Sequence, residues 1–442
     1  MKKIALFFLL VINGTMHSQN NLESYQDNYG GVRAVLYNPA SISNARFTTD
    51  VNLFSFGVSG TNDYYALKVT NILNSDYNIE TEAKTYPSNA NNFIINSDVM
   101  GPSVMLNILP KHSVAFFTRA RVTGNLHNIN GDLFNQLKDN INATSSFDYK
   151  AGNYNATFAS WAEIGASYAT ILLNKEQHVL KGGVSFKFVQ GIANSYSTGD
   201  NVSVKYTNNS PVPITNFVET TGVLTYGGTQ NFEDSFNSFK FDISRASLGI
   251  DLGFIYEFKP KSDPQTNQYK YKFAFSITDI GTVNFKDTNE KVYDLNKTVT
   301  EAQYENANSF GEFLEANYTV IKNGSSTKFN LPTAAHLNLD WNLQEKIFIN
   351  FYGDINLNNK LSINNSAIAN FYGVTPRYES KWFTVSLPLN YMEYRKLQLG
   401  TGFRLGPVFI GSSSILSNLL SNESKGADFY FGFKVPIYKK SN

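Results

Sequence analysis

The sequence predicts an all-β fold, a transmembrane antiparallel β-barrel of about 14 strands with an N-terminal plug segment. Three observations predict it. Apolar side chains fall at every second position over segments of about ten residues, the connections alternate between short and long, and the segments add up to an even number.

The alternation is plainest near the C-terminus. Phe429, Phe431, Phe433, Val435 and Ile437 share one face of an extended strand, and Asp428, Tyr430, Gly432, Lys434 and Pro436 the other. A sandwich core gives the same pattern on one strand, but sandwich strands usually run to about five or six residues. The pattern recurs in Leu248, Ile250, Leu252, Phe254, Tyr256 and Phe258, in Ala335, Leu337, Leu339 and Trp341, and in Ile347, Ile349, Phe351 and Ile355. It returns in Phe383, Val385, Leu387 and Leu389, and in Leu397, Leu399, Phe403 and Leu405.

Strands are expected at 51–59, 101–109, 112–123, 156–173, 178–190, 243–259, 268–281, 332–342, 346–356, 368–378, 381–391, 396–405, 407–415 and 427–438. Tight connections fall at 110–111, 174–177, 259–268, 343–345, 378–381 and 406–407. Long ones fall near 124–156, 191–243, 282–331, 357–368 and 416–426, with a short member at 392–395. That is the rhythm of periplasmic turns and extracellular loops, and an even count puts both ends on the periplasmic side. The first strand shifts phase around Phe54. The stretch 61–100 is read as loop, since a further strand there would break the parity. Segments 193–207 and 215–227 are expected to form a hairpin above the membrane, and Ile415, Leu416, Leu419 and Leu420 follow helical spacing.

The faces opposite the apolar ones collect charge. Arg119, Arg121, Glu163, Lys187, Asp251, Glu257, His336, Asp340, Asp354, Arg404 and Lys434 are expected in the lumen, with Lys181, Lys270 and Lys272. Charges of both signs suggest paired ladders that fill the interior rather than a ring selecting one ion type. Gly249, Gly253, Gly400, Gly402 and Gly432 on that face either leave room for a plug or relieve curvature.

The chain has 442 residues, a formal net charge of +1, no cysteine, and 35 Phe, 26 Tyr and 3 Trp. The charge balance offers no footprint for nucleic acid. Without cysteine there is neither a disulfide framework nor a lipid anchor on that residue. Residues 1–18 read as a cleaved signal peptide, with Lys2 and Lys3 before an apolar run too short to span a bilayer and cleavage expected after Ser18. The barrel then occupies 51–438 and a short tail 439–442.

Residues 19–50 do not alternate. "YGGVRAVLYNPAS" sets turn formers Gly30-Gly31 and Asn38-Pro39 around a short apolar piece. Either the segment is a periplasmic tail, or Val32, Val35, Leu36 and Tyr37 bury themselves in the lumen as a plug. Arg33, Asn38, Pro39 and Ala40 are the plug candidates.

"YNPAS" resembles a motif of the long-chain fatty-acid transporter (FadL) superfamily, a fourteen-stranded barrel with an N-terminal plug. More closely, "GPSVMLNILPKHSVAFFTRARV", "WAEIGASYATILL", "HVLKGGVSFKFVQGIANSY", "LPTAAHLNLDW", "RLGPVFIGSSSILSNLL" and "GADFYFGFKVPIYKK" look like an outer-membrane barrel family of unknown function in the Bacteroidota, domain of unknown function family 5723. The resemblance implies a bacterial outer-membrane location and a fold, and no established activity.

Catalytic chemistry is thinly represented. The chain has five histidines, and none has a meaningful nucleophile beside it in sequence. His336, Asn338 and Asp340 project to one side at two-residue spacing and could seed a metal site, although ordinary lumen polarity accounts for them. The expectation is a non-enzymatic barrel without cofactor, embedded in outer-membrane lipid. Two functions stay open: a plugged conduit for a small hydrophobic molecule, and a non-conducting barrel that binds or assembles with a surface or secretion protein.

Overall fold

A computed structural model of the chain describes residues 27–438 except 74–77, 79–81, 138–144, 210–215, 231, 261–268 and 326–327. The expected signal peptide, residues 19–26, most of the predicted turn 259–268 and the tail 439–442 lie outside the described residues.

The described chain closes into a ring of 14 antiparallel strands. These are β1 (Phe47–Asn62), β2 (Asn91–Met100 continued by Ser103–Leu109), β3 (His112–Ile129), β4 (Phe147–Lys175), β5 (His178–Thr207), β6 (Ser247–Phe258) and β7 (Tyr271–Asn284). They are followed by β8 (Ala334–Gln344), β9 (Ile347–Asn356), β10 (Phe371–Glu379), β11 (Phe383–Ser386 and Leu389–Met392), β12 (Gln398–Leu399 and Thr401–Leu405), β13 (Val408–Ser412) and β14 (Gly426–Tyr438). Each strand pairs with its neighbours in sequence. β14 closes the ring on β1, from Phe47 opposite Tyr438 to Thr61 opposite Gly426. Closure removes the free edges that lipid could not hydrate.

Alternation decides which side each residue faces. Along β6, Leu248, Leu252 and Phe254 are exposed on the outer wall while Asp251, Gly253, Ile255 and Glu257 are buried inside. Phe429, Phe433, Val435 and Ile437 of β14 likewise point outward. Phe116, Ile164, Phe186, Phe273, Leu337, Phe351, Phe403 and Ile410 carry the apolar belt round the ring. Exposed Trp382, Tyr378, Tyr271 and Tyr168 cluster near the short-turn end, and Tyr372 and Tyr391 lie toward the loop end. Apolar wall between aromatic girdles is the surface a bilayer requires.

The phase shift in the first strand is a bulge. The register slips between Asn52 and Phe54, so Leu53 and Phe54 both face outward. Two expectations need correction. β2 begins at Asn91, ten residues before the predicted start, because its upper half pairs with β1 and β3 beyond the Gly101-Pro102 interruption. β4 and β5 run for 29 and 30 residues, far past the predicted lengths, because they keep pairing above the belt with polar side chains. Neither change alters the parity. "NDYYALKVTNIL" adds no strand to the ring: Tyr65–Ala66 pairs only with Lys84–Thr85, and Val69–Leu73 is a 3-10 turn.

The expected hairpin is present, with its first arm continuous with β5 and its second at Phe217–Thr229. It grows into a layer above the barrel. Thr288–Asp294 and Lys297–Thr300 pair with that second arm, and Thr319–Gly324 pairs with Thr288–Asp294. Two short helices, Glu301–Glu305 and Phe310–Asn317, pack Tyr304, Phe313 and Leu314 onto Tyr206, Val218, Leu224 and Tyr293. Thr300 and Gln303 form a reciprocal capping box at the start of the first helix. The helix expected after β13 is Ile415–Leu420.

Candidate functional site

Residues 27–46 run inside the ring. Gly31 takes a left-handed φ of 67°, and a side chain there would collide with the Asp50 carboxylate. The turn leads into two 3-10 helices, Gly31–Leu36 and Pro39–Ile42. Asn38 caps the second through its side chain, which accepts from Ala40 N at 2.9 Å, and Pro39 supplies the fixed φ of a first helical position.

The segment is hydrogen-bonded to β1, β6–β8, β10–β12 and β14. Asn38 Nδ2 donates to the carbonyls of Phe254 on β6, at 3.2 Å, and Phe275 on β7, at 3.1 Å. Tyr37 donates to Leu337 O of β8 at 3.2 Å, and Ser276 donates to Tyr37 O at 2.6 Å. Val32 N donates to Asp50 on β1 at 2.8 Å, and Lys434 on β14 donates to Tyr29 O. Asp27 accepts from Arg404 Nε at 2.8 Å and from Thr384 at 2.9 Å, and Asn28 Nδ2 donates to Glu379 at 3.0 Å. Burial opposes ionisation of Asp27, but the charge and hydrogen bond of Arg404, together with the Tyr29 amide and the charge of Arg377, outweigh it and hold the carboxyl well below its usual range.

Room for the segment is made by missing side chains. A Cβ on Gly253 would meet Asn38 Oδ1 at 2.1 Å, and one on Gly183 would meet Ala40 N at 2.4 Å. The other inward glycines serve other neighbours: Gly249 faces Leu331 and Lys187, Gly400 the backbone at Ser412 and Ser413, and Gly432 the Phe409 ring. Arg33 is buried with its guanidinium 4.2 Å from the Phe409 ring centre. Around the segment, Val32, Val35 and Ile42 pack with Phe47, Met100, Met105, Ala115 and Phe117. Above it, Tyr37 packs with Ile94, Tyr352, Ala369, Phe371 and Met392.

The eleven polar residues expected in the lumen are all buried in the ring interior, in separate networks. Lys187 bridges Asp251 at 2.6 Å and Asp279 at 2.5 Å. Arg121 joins Asp279 at 2.7 Å to Glu163 at 3.3 Å, and Arg119 pairs with Asp98 at 3.0 Å. Near the turn end, Arg377 makes a two-pronged contact with Asp340 at 2.7 and 2.8 Å, and Lys181 pairs with Glu257 at 2.5 Å. Lys272 lies 3.5 Å from Asp340. Lys270 instead belongs to the short-turn end, half-buried, donating to Leu343 O at 3.4 Å.

His336, Asn338 and Asp340 do not converge on a common centre. His336 bonds Asp354 at 2.6 Å and Thr278 at 2.8 Å, Asn338 pairs with Asn350, and Asp340 faces Arg377. Among the described residues, no group of three or more His, Asp or Glu is placed to hold a metal ion.

Several interior residues escaped the sequence reading. Asp279 has a left-handed φ of 60° at an irregularity in β7, so it breaks the alternation that would have flagged it. Asp98 lies in the stretch read as loop. Arg377 and Glu379 follow regular alternation on β10 and were legible from the same period that exposed Tyr372 and Tyr378.

Below the segment, at the turn end, a cavity of about 510 Å³ opens between Asp27, Asn28, Arg46, Lys181, Glu257, Lys259, Tyr269, Lys272 and Lys381. This mouth carries more cations than acids.

The model of a protein family described as "Family of unknown function (DUF5723)" matches residues 39–413. The chain belongs to this family. The match to DUF5723 runs from Pro39 of the inserted segment to Ser413, just past β13. No curated protein matches the chain. Among solved structures, this DUF5723 protein is similar to a Pseudomonas aeruginosa FadL homologue, at 11% identity over 90% of this chain and 91% of that one, with a TM-score of 0.38. It is also similar to the P. putida toluene transporter TodX, at 9% identity over 93% and 95% of the two chains, with a TM-score of 0.37. A third is the CymD monoaromatic hydrocarbon channel, at 8% identity over 92% and 94%, with a TM-score of 0.36. Identities and scores this low leave the function to be argued from the residues of this chain.

Proposed function

We propose that this protein is a bacterial outer-membrane conduit for a small hydrophobic molecule, held shut by residues 27–46 acting as a plug. The observation that carries the reading is the way Asn38-Pro39-Ala40 sits against Gly183 and Gly253: a side chain at Gly183 would run into the backbone of Pro39 and Ala40, and one at Gly253 would press on the Asn38 side chain. A barrel needing only a filled interior can use its own charge ladders, as this one does at Lys187 and Arg121. A separate segment seated in a glycine-lined recess is instead an element that can leave. The apolar side chains meeting Tyr37, among them Ile94, Phe371 and Met392, favour an apolar cargo, because an apolar molecule can replace those contacts without stranding a polar group. In this reading the short-turn end faces the periplasm and the layered loops face outward.

The layer above the barrel supports a second reading, a surface module that binds a secretion or cell-surface protein. Its own apolar core of Tyr206, Leu224, Tyr293 and Leu314 is more than a loop needs merely to connect strands.

Native mass spectrometry of the protein, extracted in mild detergent from its own membrane, separates the two. The conduit reading expects a co-purifying small hydrophobic molecule that is lost in Gly183→Ala. A stoichiometric protein partner with no such molecule would turn the assignment to the surface module.

A further inference from the structure

Residues 357–370, between β9 and β10, leave the wall and cross the ring. Asn125 on β3, on the opposite side, holds Ala367 by two reciprocal bonds: Asn125 Nδ2 donates to Ala367 O at 2.9 Å, and Ala367 N donates to Asn125 Oδ1 at 3.0 Å. Thr123 bonds Ser366 at 3.1 Å. Asn155 on β4 donates to Lys360 O at 2.9 Å and Ser362 O at 3.2 Å. The near end is tied by Lys360 Nζ to Glu393 at 2.5 Å, and the same carboxylate accepts from Asn370 N at 2.9 Å. Ser366, Ala367 and Ala369 are buried.

We propose that this strap is an outer gate, a second closure of the conduit on the loop side of the plug. The proposal rests on the conduit reading. Its physical basis is the kind of bond that holds the strap. The barrel wall is knit by long backbone ladders, whereas the strap reaches β3 and β4 through asparagine and threonine side chains, the β11–β12 connection through Lys360 and the main chain of Asn370, and the chain ahead of β8 through one short parallel bridge at Asn330. Leu357 and Leu361 are left exposed, and Ile363 is the strap's one apolar side chain that packs onto the cluster of Trp161, Phe329 and Leu331 among the described residues. These contacts can release without unpairing any two strands of the ring. Ala369, at the foot of the strap, packs in the same cluster as Tyr37, so the outer closure rests on the inner one and an arriving molecule meets the strap first.

The absence of cysteine from the chain makes a clean test possible. Ser366→Cys places a single thiol at a buried strap position, and a membrane-impermeant maleimide is applied to intact cells. Labelling should be slow in that background. Adding Lys360→Gln or Asn125→Ala should accelerate it at least about tenfold, the factor expected when a charge-assisted or paired hydrogen bond is lost. Fast labelling in the Ser366→Cys background, or slow labelling in every variant, would overturn the gate. Heat-modifiable migration of each variant establishes that its barrel is folded, and Asn155→Ala gives a third release variant should either of the others fail that check. Conductance separates the gate from the reading beneath it. Deleting 29–40 alone should leave a low conductance, and a fully open pore from that deletion would overturn the gate. Accelerated labelling together with no conductance in a barrel lacking both closures would keep the movable strap and overturn the conduit.

Discussion

Asn38 donates its side-chain amide to the main-chain oxygen of Phe254, 3.2 Å away and 216 residues distant in sequence. The same amide reaches Phe275 on the next strand. One short polar side chain thus ties the inserted segment to adjoining strands, while its oxygen caps the turn that follows.

Asn38→Ala removes all three contacts. Each neutral hydrogen bond contributes about 1 kcal/mol and an N-cap about the same, so the segment should loosen by about 2–3 kcal/mol. Hydrogen exchange of amides 31–42 should accelerate by about 30-fold or more on that basis. The heat-modifiable gel shift of the barrel should not change, because no ladder bond is touched. Unaltered exchange would mean that the apolar packing of Val32, Val35 and Ile42 alone seats the segment.

Gly183→Ala attacks the same contact from the wall. Its Cβ would meet the backbone of Pro39 and Ala40, which cannot swing aside as a side chain can. The segment should be displaced, and protease added from the turn end should cleave within 27–46 in the variant and spare the parent. Gly253→Ala presses on the Asn38 side chain and should have the smaller effect.

Acid should release the segment only at low pH. Asp27 titrates below its ordinary value in the folded chain because Arg404, with the Tyr29 amide and Arg377, outweighs the cost of its burial. A depressed carboxyl contributes its full stability above the unfolded pKa of about 4 and loses it as pH falls through the lower folded value. Protease sensitivity of 27–46 should therefore stay flat from neutral pH to about 4 and rise below it, if Asp27 governs release. Asp27→Asn should be sensitive throughout and show a weaker rise.

Removing Lys187 should damage the barrel rather than the seating of residues 27–46. It is the cation between Asp251 and Asp279, and all three are buried. Lys187→Met leaves two carboxylates with one fewer counter-charge, at a cost of about 3–5 kcal/mol. The temperature of the heat-modifiable transition should drop. The double variant Lys187→Met with Asp251→Asn should recover part of the loss.

The ring was legible because one physical signal, lipid on one side and polar filling on the other, repeats with period two along nearly every strand. Phe54 shows how little disturbs it: the bulge flips the phase for one step, and the pairing with β14 resumes at Phe54 opposite Phe433. Arg33, Asn38, Pro39 and Ala40 could be singled out by turn formers around an apolar piece in a segment without alternation. Their seat could not, since Gly183 and Gly253 become meaningful only when the ring brings them against Asn38 and Ala40. The layer above the membrane was legible only as a hairpin. Its strands pair residues far apart in the chain, such as Thr288 with Thr229, and no local period announces such a partner. The strap was hidden for the same reason, because Asn125 and Ala367 meet only once the barrel has closed.

The most direct test of the conduit is conductance of the purified protein in planar bilayers, comparing the parent with a barrel that lacks 29–40 and carries Lys360→Gln and Asn125→Ala. The parent should be silent and the doubly released barrel should show stable open steps. A folded, heat-modifiable double-release barrel that stays silent would contradict the conduit and leave a closed barrel whose role lies in the layer above it.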